Sequence, residues 1–448
     1  MNGQENKLGV MPIGRLLLVM SIPMMISFFI QALYNIVDSM FVARISEDAL
    51  TAVSIAYPVQ QVITAIGVGT GVGVNALVPR YMGQGNPEQA KRIANIAVFL
   101  SFCYTVIFMV IGQTLIHSYY VLQTDVESIV TAGTQYLSIV CTVCVGAFFG
   151  QNFEKLLVAT GNTFCSMAAQ ASGAIFNLIF DPLLIFGIGP FPQLGVRGAA
   201  IATVGGQIFA AAVAICLLMK KEKTIRLSIR HMQPTLHAIK DIYSIGIPSM
   251  LTVGLGSVMS FCINQILLGF STTATAVFGI WMKLQSFSFM PVFGLNNGTV
   301  PMIAYNYGAG HTDRVKQTIA LAMKVAVGLM LALVAVYECI PGLLLAMFSA
   351  SDLMLSIGTV ALRICCLSLP FGAVCVIISS SLQSLGRGGK ALLINLLRQL
   401  VILVPAAWLL SLSGNLSLVW LATPIAEVLS MIAAIFLRRE IGKILEYR

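Results

Sequence analysis

The sequence predicts an all-α polytopic membrane protein with twelve transmembrane helices in two pseudo-symmetric six-helix bundles. Three observations carry this expectation. Of 448 residues, 58% are hydrophobic and only 10% are charged, whereas soluble domains are about 25% charged. The apolar residues gather into twelve runs, each near or above the roughly 20 residues that cross a bilayer. The chain also repeats itself, with Ile22-Pro23 returning as Ile247-Pro248. Such a composition excludes a soluble globule, a disordered chain, a collagen-like repeat and a secreted disulfide scaffold.

The first-half runs lie near residues 16–43, 49–78, 93–115, 129–154, 163–187 and 198–219. Those of the second half lie near 241–270, 275–304, 317–348, 353–385, 391–411 and 416–437. Several exceed the bilayer thickness and should tilt, kink or protrude. Residues 1–14 are polar, and the run that follows from Leu16 to Val42 is too long for the core of a cleaved signal. It is read as the first span.

Orientation follows from the basic residues. Of 26 Lys and Arg, 20 fall at the N-terminus, in 79–92, 155–162, 220–240, 305–316 and 386–390, and at the C-terminus. The opposite loops hold only Arg44 and Arg197. Both termini are therefore expected in the cytoplasm of a multi-pass cell (inner) membrane protein. The longest polar stretch, residues 220–240, carries Lys220, Lys221, Lys223, Arg226, Arg230 and Lys240. It reads as a cytoplasmic linker lying on anionic lipid, between an N-lobe (1–219) and a C-lobe (241–448). The ten cysteines lie in apolar runs; Cys141 and Cys144 form the only C-x-x-C, no histidine completes a zinc site, and helix packing is the expected role.

The repeat continues in the same register. Gly69, Gly73, Gly83 and Gly85 match Gly294, Gly298, Gly308 and Gly310; Gly133, Leu137, Cys141 and Gly161 match Gly358, Leu362, Cys366 and Gly386. Each repeat holds an even number of spans, so the halves share one orientation about an axis along the membrane normal, a transporter layout.

An ionisable side chain inside a span is costly and is by default a functional candidate. Asp38 stands in the run Gln31-Ala-Leu-Tyr34-Asn35-Ile-Val-Asp38, whose polar members share one helix face. In the fifth span, Asn177 and Asp181 are spaced i, i+4 and stack as neighbours. Pro182 follows and should bend the helix, because it leaves the Leu178 carbonyl without a donor. Two nearby carboxylates cannot both ionise cheaply, so such a pair takes up a proton or a hard cation such as Na⁺. The second half does not copy the device: Ile263 matches Asp38, and Pro405 echoes Pro182 without an acid beside it. Ion coupling is therefore expected in the N-terminal half.

Other groups carry blander readings. Lys283, near Trp281 and Gln285, lines a C-half cavity or snorkels to the outer interface. Arg363, Arg398 and Glu427 read as structural pairs, and Glu154 with Lys155 as a solvated pair at the membrane edge. The run Gly67-Val-Gly69-Thr-Gly71-Val-Gly73 fails the dinucleotide pattern and reads as close helix packing. No P-loop appears, so any pumping uses an ion gradient or a partner ATPase.

These residues resemble the multidrug and toxic compound extrusion (MATE) transporters over nearly the whole chain. The most specific stretches are Gln31 to Asp38 and Asn177-Leu-Ile-Phe-Asp-Pro182. Gly198-Ala-Ala-Ile-Ala-Thr203 and Tyr305-Asn-Tyr-Gly-Ala309 add to them. The resemblance implies a twelve-helix, two-lobe antiporter that exports cationic or amphipathic organic compounds, antibiotics among them, in exchange for H⁺ or Na⁺ by alternating access. In the branch with N-lobe aspartates it assigns ion coupling to Asp38, Asn177, Asp181 and Thr203. Gln31, Tyr34, Asn35, Tyr136, Pro23, Gln207 and Lys283 would stand in the substrate cavity or behind the ion site. Other branches use acids in spans seven and ten. Here span seven has none, and span ten has only Asp352 at its edge. No enzyme activity, cofactor or nucleic acid partner is expected, and the protein is expected to be a monomer among membrane lipids. Two alternatives fit less well. A lipid-linked precursor flippase would need a strongly basic cavity for pyrophosphate. An intramembrane aspartyl protease would carry Tyr-Asp and Gly-x-Gly-Asp where this chain has Val37-Asp38 and Phe180-Asp181.

Overall fold

The computed structural model describes residues 6–222, 225, 227, 235–348 and 351–446, and those residues contain helices and no strands. In chain order the first half holds α1 (Lys7–Val10), α2 (Ile13–Ala43), α3 (Glu47–Gly83), α4 (Pro87–Thr114), α5 (Ile116–Val121), α6 (Glu127–Thr142), α7 (Val145–Ala159), α8 (Thr163–Phe186) and α9 (Val196–Lys221). The second half holds α10 (Leu236–Leu268), α11 (Thr272–Gly308), α12 (Thr312–Cys339), α13 (Pro341–Ala346), α14 (Asp352–Cys366), α15 (Leu369–Ser384), α16 (Gly388–Leu396), α17 (Leu403–Ser411), α18 (Leu416–Trp420) and α19 (Ala422–Glu446). Ten helical stretches are long and apolar enough to cross a membrane, and two bent pairs bring the count among the described residues to twelve. Within the 220–240 stretch, Lys223, Arg226 and Arg230 lie outside the described residues.

The sequence repeat is copied in local chemistry. Ser46 caps α3 by accepting from the Ala49 N–H at 3.0 Å, and Ser271 caps α11 by accepting from the Ala274 N–H at 3.0 Å. Gly85 and Gly310 end their helices with φ of 71° and 76°, a conformation that L side chains rarely adopt. The fourth and tenth spans break at matching points: α6 meets α7 at 46° and α14 meets α15 at 43°.

The chain divides into two compact units, residues 26–246 and residues 1–25 with 247–448. The boundaries fall inside α2 and α10, and the repeated glycines explain why. A Cβ on Gly294 would stand 2.6 Å from the Met25 backbone, and one on Gly298 would stand 2.8 Å from Met20 and Ser21. One repeat earlier, a Cβ on Gly73 would stand 2.7 Å from the Ile242 carbonyl, and Gly246 meets the Gly69 carbonyl in the same way at 2.8 Å. Missing side chains let the backbones touch, which is how apolar helices gain packing inside a membrane. The remaining glycines of the first run act alike, Gly67 receiving Gln151 and Gly71 the stem of Lys155. Helix packing is therefore what this run does.

The motif at Tyr305 to Ala309 has a structural duty in the unit containing the C-terminus. Asn306 donates to the Leu8 carbonyl at 2.9 Å and accepts from Arg314 at 2.9 Å. Arg314 also donates to the Met11 carbonyl at 2.8 Å, so the end of α1 is held by three side-chain hydrogen bonds. In the same unit Arg398 lies in a π-helical turn (Leu397–Val401) and pairs with Glu427 at 2.7 Å. The widened turn ends just before the position where Pro405 offers no N–H to the Val401 carbonyl. Phe289 covers the guanidinium at 5.6 Å, and Gly372 leaves room for both charged groups.

Candidate functional site

The site candidates of the first half converge in the 26–246 unit. α8 and α9 run side by side with almost no side chain between them. A Cβ on Gly173 would be 2.7 Å from the Gly206 carbonyl, and one on Gly198 would be 2.4 Å from the Leu184 carbonyl. The connection between the helices is tied back, with the Leu194 and Gly195 N–H groups donating to Leu184 and Ile185 at 2.9 and 3.2 Å. This delivers Thr203 against the buried polar face of α8. α2 is set beside α8 by an edge-to-face pair of Phe41 and Phe186, 6.3 Å apart and one turn beyond the carboxylates.

Asp181 has no solvent exposure and Asn177 has 4%. With its amide oriented to suit its neighbours, Asn177 donates to Asp181 Oδ2 at 2.7 Å and accepts from the Thr203 N–H at 3.3 Å. The Asp38 carboxyl neighbours that of Asp181, near enough for the two charges to bear on each other. Two carboxyls so placed cannot both ionise cheaply. Asp38 Oδ1 and Thr203 Oγ1 are buried without a partner. Buried polar atoms normally have one, so these two call for a ligand or water. The donor set is oxygen only, with two carboxyls, an amide and a hydroxyl, and it fits a proton or a hard monovalent cation.

Tyr136 is 2% exposed, accepts from Gln60 at 3.0 Å and sits in the electrostatic field of Asp38 and Asp181. Tyr34 is half-buried and lies in the field of Asp38, Asp181 and Glu154. The structure thus brings together Asp38, Asn177, Asp181, Thr203, Tyr136 and Tyr34. It does not bring in Pro23, which lies roughly 22 Å along α2 from Asp38 at 1.5 Å per residue and groups with the other unit. Gln31 and Asn35 are exposed on α2. Gln207 stands where α9 meets Gly146 of α7. Lys283 belongs to the other unit, exposed, with its ammonium 5.9 Å from the Phe348 ring. α8 continues without interruption past Pro182 to Phe186, and Gly187, at φ 72°, ends it.

Sequence reasoning missed three members. Gln60 was not singled out at all. Glu154 is half-buried and accepts from Gln170 at 2.8 Å, so it is not the solvated partner of Lys155 that its position suggested. The signal for Gln170 was present: Ser166, Gln170, Gly173, Asn177 and Asp181 recur at helical spacing along one face of α8. In the other unit Ile263, the counterpart of Asp38, is 5% exposed in an apolar core.

A family model described as MatE matches residues 23–183 and 248–409, each stretch beginning at the proline of a repeated Ile-Pro pair. The chain belongs to the MatE family. Among curated relatives, an "FAD transporter" of Shewanella oneidensis is 30% identical over 96% of this chain and 95% of its own length. The "Multidrug export protein MepA" of Staphylococcus haemolyticus is 27% identical over 93% and 91%. A solved structure described as the outward-facing conformation of a multidrug resistance MATE family transporter covers all of both chains, with a TM-score of 0.92 at 24% identity. The MatE fold therefore extends over the whole chain, and the protein is a multi-pass membrane transporter of this family.

Gly206 gives the MatE helix pair a direct test. Its added Cβ would meet the Gly173 carbonyl at 2.8 Å and Asn177 at 3.4 Å. Gly206→Ala is expected to cost about 1–3 kcal/mol through overpacking, read as a lower melting temperature in detergent. Gly389→Ala, where a Cβ meets nothing within 4 Å, is the control and should melt like wild type.

Proposed function

We infer that this MatE protein is a secondary antiporter. It exports cationic or amphipathic organic compounds across the cell membrane in exchange for H⁺ or Na⁺, with both termini in the cytoplasm. The observation that carries the reading is the neighbouring carboxyls of Asp38 and Asp181, with Asn177 and Thr203 beside them and two oxygens left unpartnered. The pair holds one proton at its lowest cost and can exchange it for a cation that neutralises both charges. Its members come from three helices, α2, α8 and α9. Changing its occupancy therefore changes how those helices attract one another, which biases a two-state element as alternating access requires. Substrate and cation favour opposite states, and binding of one releases the other.

The test is efflux of ethidium from proteoliposomes holding the full chain, with a Na⁺ gradient and a pH gradient imposed separately. Efflux under one gradient supports antiport and names its ion. Loss of response to both overturns the reading. A second reading is favoured by the 30% identity to an FAD transporter: the substrate is an anionic flavin dinucleotide. Liposomes loaded with FAD instead of ethidium separate the two.

A further inference from the structure

The polar face of α8 does not end at Asn177. It continues through Gly173 to Gln170 and Ser166, and at 1.5 Å per residue Gln170 stands roughly 16 Å below Asp181. At that level Gln170 donates to Glu154 of α7 at 2.8 Å. α7 and α8 are joined by residues 160–162, in a loop that the Lys and Arg bias puts in the cytoplasm. Glu154 therefore lies near the inner end of the face whose outer end holds the Asp38–Asp181 pair. Tyr34 of α2 lies in the field of Asp38, Glu154 and Asp181 alike.

One further atom lies on this face of α8, a turn below Gln170. Ser166 has no exposure, and its Oγ is buried without a partner. An unmatched buried polar atom is where ordered water enters a protein. The charged and titratable groups bearing on Glu154 are Lys155 on its own helix and Tyr34 from α2.

We propose that Glu154 is a second cation-binding carboxylate, the inner stop on a polar path along α8 by which the monovalent cation leaves Asp38 and Asp181 for the cytoplasmic end. The proposal rests on the reading of Asp38 and Asp181 as the coupling site. It gives the cation a carboxylate partner at each end of the path, so neither resting position leaves a lone charge in a low-dielectric interior. For a proton, the acid form of the dyad gives up H⁺ through Tyr34 and water, and the Glu154 carboxylate accepts it. For Na⁺, Glu154 and Ser166 Oγ supply the inner oxygens. A purely structural Glu154 would need only its hydrogen bond to Gln170, which a glutamine keeps.

That difference makes the test. Ethidium efflux is driven from proteoliposomes by a Na⁺ gradient or a pH gradient, for wild type, Glu154→Gln, Glu154→Asp and Asp38→Asn. In parallel, ethidium is added to each purified protein in detergent, and displaced cation is read with a pH dye or with ²²Na⁺. Glu154→Gln should lose about tenfold in driven efflux, a coupling loss of ordinary size, yet still displace its cation on ethidium binding. Glu154→Asp should restore at least half the rate, and Asp38→Asn should lose both readouts. Wild-type efflux by Glu154→Gln overturns the proposal. So does loss of displacement together with efflux, which would mean that Glu154 only shapes the dyad. Retention of both readouts by Asp38→Asn overturns instead the reading on which the proposal rests.

Discussion

Asp38→Asn and Asp181→Asn are each expected to abolish gradient-driven export while leaving the protein folded and in the membrane. The loss should reach about 150-fold, the upper end of an ordinary coupling free energy. Asparagine keeps the shape and the hydrogen bond of the protonated carboxyl but cannot release a proton or charge-balance Na⁺. It also removes the cost of ionising two neighbouring acids. Melting temperatures at or above wild type are therefore expected beside lost transport. The measurement pairs ethidium efflux with thermal melting in detergent. Export that persists in both variants, or variants that fail to fold, would contradict the assignment.

The second large effect lies in the other unit and has the opposite signature. Glu427 and Arg398 are 9% and 12% exposed, in a bidentate contact of 2.7 to 2.8 Å. Glu427→Ala leaves the guanidinium buried and unpaired, which costs about 3–5 kcal/mol. Folding stability should fall, with transport lost only as protein is lost. Exchanging both partners for apolar residues, Arg398→Met with Glu427→Leu, removes the desolvation problem along with the attraction and should recover most of the melting temperature. A double variant as unstable as the single one would show that the π-helical turn itself depends on the ion pair. Together the two experiments separate a pair of acids kept for exchange from an acid and a base kept for architecture.

Much of this was written in the sequence because membrane folding leaves few choices. The twelve apolar runs became up to twelve candidate spans; 129–154 and 353–385 became the bent pairs α6–α7 and α14–α15, while runs as long as 241–270 and 275–304 stayed single helices. The matching of Gly69 and Gly73 with Gly294 and Gly298 became paired helix crossings. Arg398 and Glu427 were each legible as a member of a structural pair, since charges within spans need partners, but only the fold shows that they pair with each other. Less legible was anything that depends on which helices become neighbours. Glu154 sits six residues after Phe148 in the chain and looks like an edge residue; only the packing of α7 on α8 gives it Gln170. The exchange of first-helix halves between the two compact units leaves no trace in periodicity, because it rests on backbone contacts at glycine. The π-helical turn at Leu397–Val401 was likewise invisible, although Pro405 marked the place where the helix had to adjust.

The central claim is that the α2–α8–α9 oxygen cluster exchanges a monovalent cation against substrate. The most direct measurement is cation displacement: ethidium is titrated into purified wild type, Asp38→Asn and Asp181→Asn at fixed pH and Na⁺, and released H⁺ and ²²Na⁺ are counted. The account predicts release of one cation species by wild type, saturating with ethidium binding and absent from both variants. Equal release by wild type and the variants, or ethidium binding by wild type with no release of either cation, would contradict it.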